Sequence, residues 1–409
     1  MRQYLLEHYP ALGHSLYLRY WRASIASVGA TQLTTLAQGW LVFELSGSPL
    51  DLGLLGAATA LPNIALSLLG GALADRFDKR RILLVASAII GALFALLAVL
   101  DATGVVRVWH VLAIAATCSL VSGIEWPTRQ AFFPHLIDRD GLLSAVALNS
   151  FLWQSTRMIV PAAGGLLIGF TDTSFLFALA AFGYVVMWIV IWRIRVSIPT
   201  QRNGSTLQQV FEGFRFIGKN ELFFALIVLS FAGMLFGSSY MQLMPAFAKS
   251  LGGGEVDYGV LLSATGLGSV IGTLLIGGSG RSIRPGWLVL GGAFASALCL
   301  FAFALFIALG IFAGAALAAM ASSICASVSM ITMMTVMQLE VPDHLRGRVM
   351  GIHSITYSLM PLGGLVLGAI ASRSSEVMAV VMPATIYIAI IASIAVTRPV
   401  VRRLALATG

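Results

Sequence analysis

The chain has 409 residues, of which 58% are hydrophobic and only 10% charged, with a mean hydropathy of +0.91 and a formal net charge of +8. A soluble protein carries roughly 25% charged residues, and surface-to-volume scaling leaves too few polar side chains here to coat a compact globule. The composition excludes a soluble fold and makes lipid the solvent for most of the apolar surface.

Residues 1–20 are polar and mixed, without an apolar core or a small-residue cleavage site, so the first apolar segment is expected to stay as an anchor. Apolar segments then recur near 23–43, 52–74, 82–101, 108–128, 144–169, 174–194, 222–247, 257–278, 286–308, 311–338, 348–371 and 377–397. Each approaches the roughly 20 residues that a transmembrane helix needs. Helix is the expected conformation, because a lipid-facing backbone must satisfy its own hydrogen bonds and no stretch alternates like a barrel strand. The narrowest division, between the ninth and tenth segments, rests on Gly310 alone. Cys118, Cys299 and Cys325 all fall inside apolar runs, which suits small packing residues and neither a disulfide framework nor a metal site.

The basic residues sort by side. With a cytoplasmic N-terminus, all but Arg107, Arg157, Lys249 and Arg373 of the 25 lysines and arginines fall on the cytoplasmic side. The positive-inside rule therefore predicts an even number of spans and both termini in the cytoplasm. The positive charge reads as a topology signal, which excludes nucleic acid as a partner.

A polar stretch at 196–221 lies midway. It begins with Pro199 and Asn203-Gly204 and then places Leu207, Val210, Phe211, Phe214 and Ile217 at helical spacing, predicting a short amphipathic helix on the membrane surface. It divides the chain into a six-helix bundle at 1–195, a linker at 196–221 and a second bundle at 222–409. A faint repeat supports this division: Pro161-Ala-Ala-Gly164-Gly165 in the fifth segment answers Pro361-Leu-Gly363-Gly364 in the eleventh. Parallel repeats of six helices with a site between them are a carrier architecture.

The sharpest local signal joins the second and third segments: Gly70-Gly71-Ala-Leu-Ala-Asp75-Arg76-Phe77-Asp78-Lys79-Arg80-Arg81. Basic residues at a cytoplasmic helix end are ordinary, but Asp75 at the end of an apolar span is costly unless paired or set against a helix N-terminus. Gly71, one turn earlier, allows a neighbouring helix to approach. This stretch resembles the cytoplasmic signature of the major facilitator superfamily, Gly-x-x-x-Asp-Arg-x-Gly-Arg-Arg, with Asp78 replacing the second glycine. Gln38-Gly-Trp-Leu-Val-Phe-Glu44, Leu52-Gly-Leu-Leu-Gly56, Glu125-Trp-Pro-Thr-Arg129 and Ala147-Leu-Asn149-Ser150 narrow the resemblance to the enterobactin-exporter-like branch. It implies an all-α fold of twelve helices in two pseudo-symmetric bundles. It also implies that Asp75, supported by Arg76 and Arg80, latches the cytoplasmic ends of the two halves. Aspartate at 78 leaves the loop geometry open, since glycine takes positive φ far more readily.

Glu125 and Arg129 stand four apart in the favourable order for a helical ion pair, with Pro127 between them. Either they pair locally, or Arg129 is a partner of Asp75, so that protonating one acid loosens the latch. Arg157 lies roughly 20 Å into the fifth segment at 1.5 Å per residue, near mid-membrane, where a charge is expected to face a cavity or a partner. Pro161, Gly164 and Gly165 follow, resembling the superfamily's exporter signature but with Val160 before the proline; they form a candidate hinge. Gln32, Thr35 and Gln38 in the first segment, and Tyr240 and Gln242 in the seventh, are further candidates for the cavity. Met330, Met333, Met334 and Met337 in the tenth offer either a polarizable ligand surface or ordinary packing.

No P-loop, zinc-protease or nucleophile-elbow motif occurs, and the histidines lack ligand spacing. No catalytic residue, cofactor or metal is expected. The leading reading is a monomeric secondary exporter of a small amphipathic molecule, siderophore-like or drug-like, with proton coupling implied by the family. An importer or uniporter of an apolar or lipid-like solute stays open, as does, from another class, a membrane receptor or enzyme subunit.

Overall fold

The computed structural model describes residues 10–194, 196, 206–278 and 284–404, with side chains given except at 67–76, 139, 206–211, 277–278 and 343–344. Every described element is helical. The chain forms two compact units: residues 1–45 with 61–204, and residues 46–60 with 205–409.

The first unit contains α1 (Ser15–Ser46, to residue 45), the later part of α2 (Pro49–Arg76), α3 (Lys79–Ala102), α4 (Val108–Phe132), α5 (Leu142–Phe170) and α6 (Thr173–Arg193). Small residues set the helix spacing. A Cβ at Gly183 of α6 would stand 2.6 Å from the Ala26 carbonyl oxygen of α1, and one at Gly164 of α5 would stand 2.5 Å from Leu36 Cδ2. Tyr17, Tyr20, Leu83, Phe132, Leu148, Met187 and Ile191 form a buried cluster near one end. Asp78 answers the question its sequence position raised. Its φ is −59°, and its carboxylate accepts the Arg80 N–H at 2.8 Å, capping α3. The loop needs no positive φ, so aspartate replaces glycine without strain. Asp172 caps α6 in the same way; hydrogen bonds from the Ser174 hydroxyl and the Phe175 N–H hold its carboxyl below the ordinary aspartate range.

The second unit contains residues 46–60, with the first part of α2, and then an amphipathic helix where one was expected, α7 (Thr206–Lys219). It is docked on other protein elements: Glu212 pairs with Arg348, Ile217 is buried, and Gly213 lies against Ile352 and Arg348. The expected single helix at 222–247 is a composite. It runs through α8 (Glu221–Ala232), a π-helical stretch Gly233–Ser238, a 3₁₀ stretch Ser239–Leu243, and α9 (Met244–Ser250). The cause is local competition for backbone groups. The Ser239 hydroxyl donates to the carbonyls of Met234 and Leu235 at 2.8 and 2.7 Å, and Pro245 has no N–H to give. The Tyr387 ring fills the space beside Gly233 and Gly237. Such π-segments often mark functional positions.

The helices α10 (Glu255–Gly278), α11 (Pro285–Ala308) and α12 (Phe312–Glu340) follow, then α13 (Asp343–Ser354), α14 (Thr356–Arg373), α15 (Glu376–Thr397) and a closing turn, α16 (Pro399–Arg402). Gly310 divides α11 from α12 with φ +66°, a conformation that glycine adopts without the Cβ clash. The expected helix at 348–371 is interrupted at Ile355. Met333 and Met337 lie in a buried hydrophobic cluster with Phe223, Val289 and Tyr387, and the Ser230 hydroxyl donates to Met333 Sδ at 3.6 Å. These two methionines are therefore packing residues.

Among the described residues, ten helices or helix strings are long and apolar enough to cross a membrane. The 32-residue α1 and the 29-residue α5 are long but more polar, with Arg19, Arg22, Gln32 and Gln38 in α1 and Asn149, Gln154 and Arg157 in α5.

Candidate functional site

A buried polar cluster in the first unit is built on α4. Glu125 and Arg129 share one helix face at i,i+4, and the fold removes both from solvent, to 6% and 7% exposure. The Arg129 Nε donates to Glu125 Oε1 at 3.1 Å, and Nη2 donates to the same oxygen. Its Nη1 donates to Ser27 Oγ of α1 at 2.9 Å. Pro127 does not prevent the pair, because the backbone bond it removes is separate from the side-chain contact. Thr31, one turn along α1 from Ser27, meets the Tyr184 hydroxyl of α6 at 3.1 Å and donates to the Ser27 carbonyl at 3.0 Å. The cluster thus ties α1, α4 and α6 around one titratable acid and one permanent cation.

Sequence spacing identifies the ion pair but not Ser27, Thr31 or Tyr184. Ser24, Ser27, Thr31 and Thr34 do repeat at helical spacing along α1, and that small-polar stripe was the available signal. Asp101 was also missed; it ends α3 and accepts a hydrogen bond from Thr173 at the start of α6.

The remaining candidates separate. Gly71, Asp75 and Arg76 lie in α2, but their side chains fall outside those described. Arg80 crosses to the end of α6, where Nε and Nη2 donate to the carbonyls of Ile191 and Trp192 at 3.2 and 2.6 Å. It adds a donor to carbonyls of the last helical turn, where Ile191 also accepts the Ile194 N–H at 3.2 Å. Arg157 is exposed on α5, Gln32 is half-buried, and Thr35 is exposed with its hydroxyl turned back to the Thr31 carbonyl. Gln38 is buried. Tyr240 is buried against Phe303, ring centroids 5.2 Å apart, with its hydroxyl donating to the Ala319 carbonyl at 3.5 Å. Gln242 packs on Gly364 and donates to the Leu52 carbonyl at 3.5 Å.

The hinge candidates sit at tight helix contacts in both repeats. Pro161, Gly164 and Gly165 are buried on α5. In the second unit, a Cβ at Gly363 of α14 would stand 2.0 Å from Ser239 Oγ and 2.3 Å from the Leu235 oxygen. Residues 46–60 join that unit through the same surface. A Cβ at Gly53 would meet the Gly364 oxygen at 2.7 Å, one at Gly56 the Pro361 oxygen at 2.1 Å, and one at Gly368 the Pro49 oxygen at 2.5 Å.

The family of transmembrane secretion effectors matches this sequence over residues 8–408. The chain belongs to that family of major facilitator transporters. An enterobactin exporter of Shigella boydii is 26% identical over 360 residues, covering 85% of this chain and 82% of that protein. A staphyloferrin A transporter of Staphylococcus aureus is 26% identical over 243 residues, covering 58% of this chain and 60% of that protein. The structure of nucleoside transporter NupG superposes with a TM-score of 0.74 at 14% identity, covering 93% of this chain and 98% of the other. A bacterial homologue of ferroportin, in an inward-facing state, gives 0.72 at 12% identity, covering 92% and 98%. These structural likenesses establish the major facilitator fold. As a member of this transmembrane secretion effector family, the protein is a membrane transporter and not an enzyme.

Proposed function

We propose that this transmembrane secretion effector is a secondary active exporter that moves a small amphipathic molecule, siderophore-like or drug-like, by alternating access. Twelve helices span a bacterial inner membrane with both termini in the cytoplasm; α1 and α5 complete the set of ten apolar spans, and the positive-inside sorting supports the orientation. The export direction is supported by similarity to an enterobactin exporter over 85% of the chain.

Proton coupling is carried by the buried Glu125–Arg129 pair. Arg129 is a permanent cation, and Glu125 is the carboxylate that balances it. Protonation of Glu125 leaves the guanidinium without its counter-charge in a dry site, which is costly. The cluster around Ser27 must then rearrange, and α1, α4 and α6 move with it. Asp75, with Gly71, Arg76 and Arg80, serves as the cytoplasmic latch. Arg157, Gln32 and Thr35 supply polar and cationic contacts to the substrate.

Efflux assays in proteoliposomes test the coupling. Glu125→Gln is expected to keep downhill flux of a transported siderophore or dye while losing accumulation driven by a pH gradient. Gradient-driven accumulation that survives in Glu125→Gln removes Glu125 from the coupling role.

A further inference from the structure

The second unit carries a groove of about 340 Å³ between α11 and α15. Trp287, Leu290 and Phe294 of α11 form one wall, and Ile391 and Ala395 of α15 form the other. Gly291 and Ala392, both small, line the groove between these walls, and a Cβ at Gly291 would meet nothing within 4 Å. Trp287 and Phe294 are 69% and 43% exposed. Exposed apolar side chains on a spanning helix face the hydrocarbon, so the groove opens to lipid. Its walls are carbon except at one end, where Arg402 closes it.

Arg402 is placed there by the backbone. The turn α16 folds back onto the start of α11 so closely that a Cβ at Gly286 would stand 2.1 Å from the Val401 oxygen and 3.0 Å from the Arg402 oxygen. Arg284, just before α11, and Arg403 are also exposed at this end. The nearby acid, Glu221, pairs with Arg398 at 2.9 Å, and Arg398 lies 5.8 Å over the Phe224 ring. Among the described residues no carboxylate is in ion-pair reach of Arg402. An apolar slot capped by uncompensated cations at the membrane edge, beside an interfacial tryptophan, matches a lipid with an anionic head.

We propose that this groove binds an anionic diacyl phospholipid, with one acyl chain between α11 and α15 and the headgroup phosphate on the Arg402 guanidinium. A zwitterionic lipid fits the slot equally well but gains less from the three arginines, so selectivity comes from the head and residence from the chain.

Native mass spectrometry of the delipidated full-length protein, given equimolar dioleoyl phosphatidylglycerol and dioleoyl phosphatidylethanolamine, tests this. The wild type is expected to retain the anionic lipid about five-fold over the zwitterionic one, reflecting a local field of several cations. Arg402→Gln should bring that ratio close to one, and Arg402→Lys should restore most of it. A Cβ at Gly291 meets nothing within 4 Å, so Gly291→Leu fills the slot without disturbing the fold and should lower retention of both lipids several-fold. An unchanged ratio in Arg402→Gln, or full retention in Gly291→Leu, overturns the proposal. Displacement of the bound lipid by millimolar inorganic phosphate also overturns it, by exposing a simple anion site with no acyl chain in the groove.

Discussion

At the residue scale the defining feature is a charge pair that the protein keeps away from water. Desolvating two ions costs several kcal/mol each, and their attraction offsets that cost only while both are present and hydrogen-bonded. Ser27 supplies the extra acceptor that Arg129 needs, at 2.9 Å. Arg129→Ala alone should therefore destabilise the protein by about 3–5 kcal/mol, whereas the double variant Glu125→Leu/Arg129→Leu should recover most of that loss. Thermal unfolding in detergent measures both; equal losses in the single and double variants contradict the assignment. The pair itself was legible, because i,i+4 spacing depends only on neighbours along one helix. Its environment was not: Ser27 and Tyr184 reach it through tertiary packing of α1 and α6, and one sequence does not record which helix faces meet. Arg80 shows the same limit. Its place in the loop signature was readable, while its hydrogen bonds to the end of α6 were not.

At the element scale, glycines decide where helices touch, and the atoms they touch decide how much they matter. Gly164 of α5 faces the flexible tip of Leu36, which can yield, while Gly363 of α14 faces the Leu235 carbonyl and Ser239 inside the π-helical string. Gly363→Ala should accordingly cost at the upper end of the roughly 1–3 kcal/mol range for overpacking, and Gly164→Ala at or below its lower end. A thermal shift series ranks the two, and a larger loss for Gly164→Ala contradicts the packing described. The repeated Pro and Gly pattern of the fifth and eleventh segments marked these contact surfaces in advance. The break in the seventh was hidden, since it arises from Ser239, Tyr387 and α14 together and leaves no periodic trace in residues 222–247. Gly310 was the opposite case. One glycine between two apolar runs identified the turn, and its φ of +66° is the reason that residue is used. Gly310→Ala should cost about 1–2 kcal/mol, the penalty of a left-handed residue with a Cβ.

For the whole molecule, composition and hydropathy were enough to place the chain among multi-spanning helical membrane proteins, because they are global properties that survive uncertainty at every helix boundary. Its place among transporters was legible only through the resemblance of the Gly71–Arg81 loop and its companion segments to a family signature. Substrate chemistry is the opposite kind of property, resting on which few side chains face a cavity. The central claim is export driven by the proton gradient. Its most direct test is accumulation of an iron-free siderophore of the enterobactin type in inside-out vesicles bearing the wild-type protein, with an imposed pH gradient. Accumulation several-fold above protein-free vesicles, abolished by a protonophore, is the predicted result. Equal levels with and without the gradient, or with and without the protein, would contradict the claim.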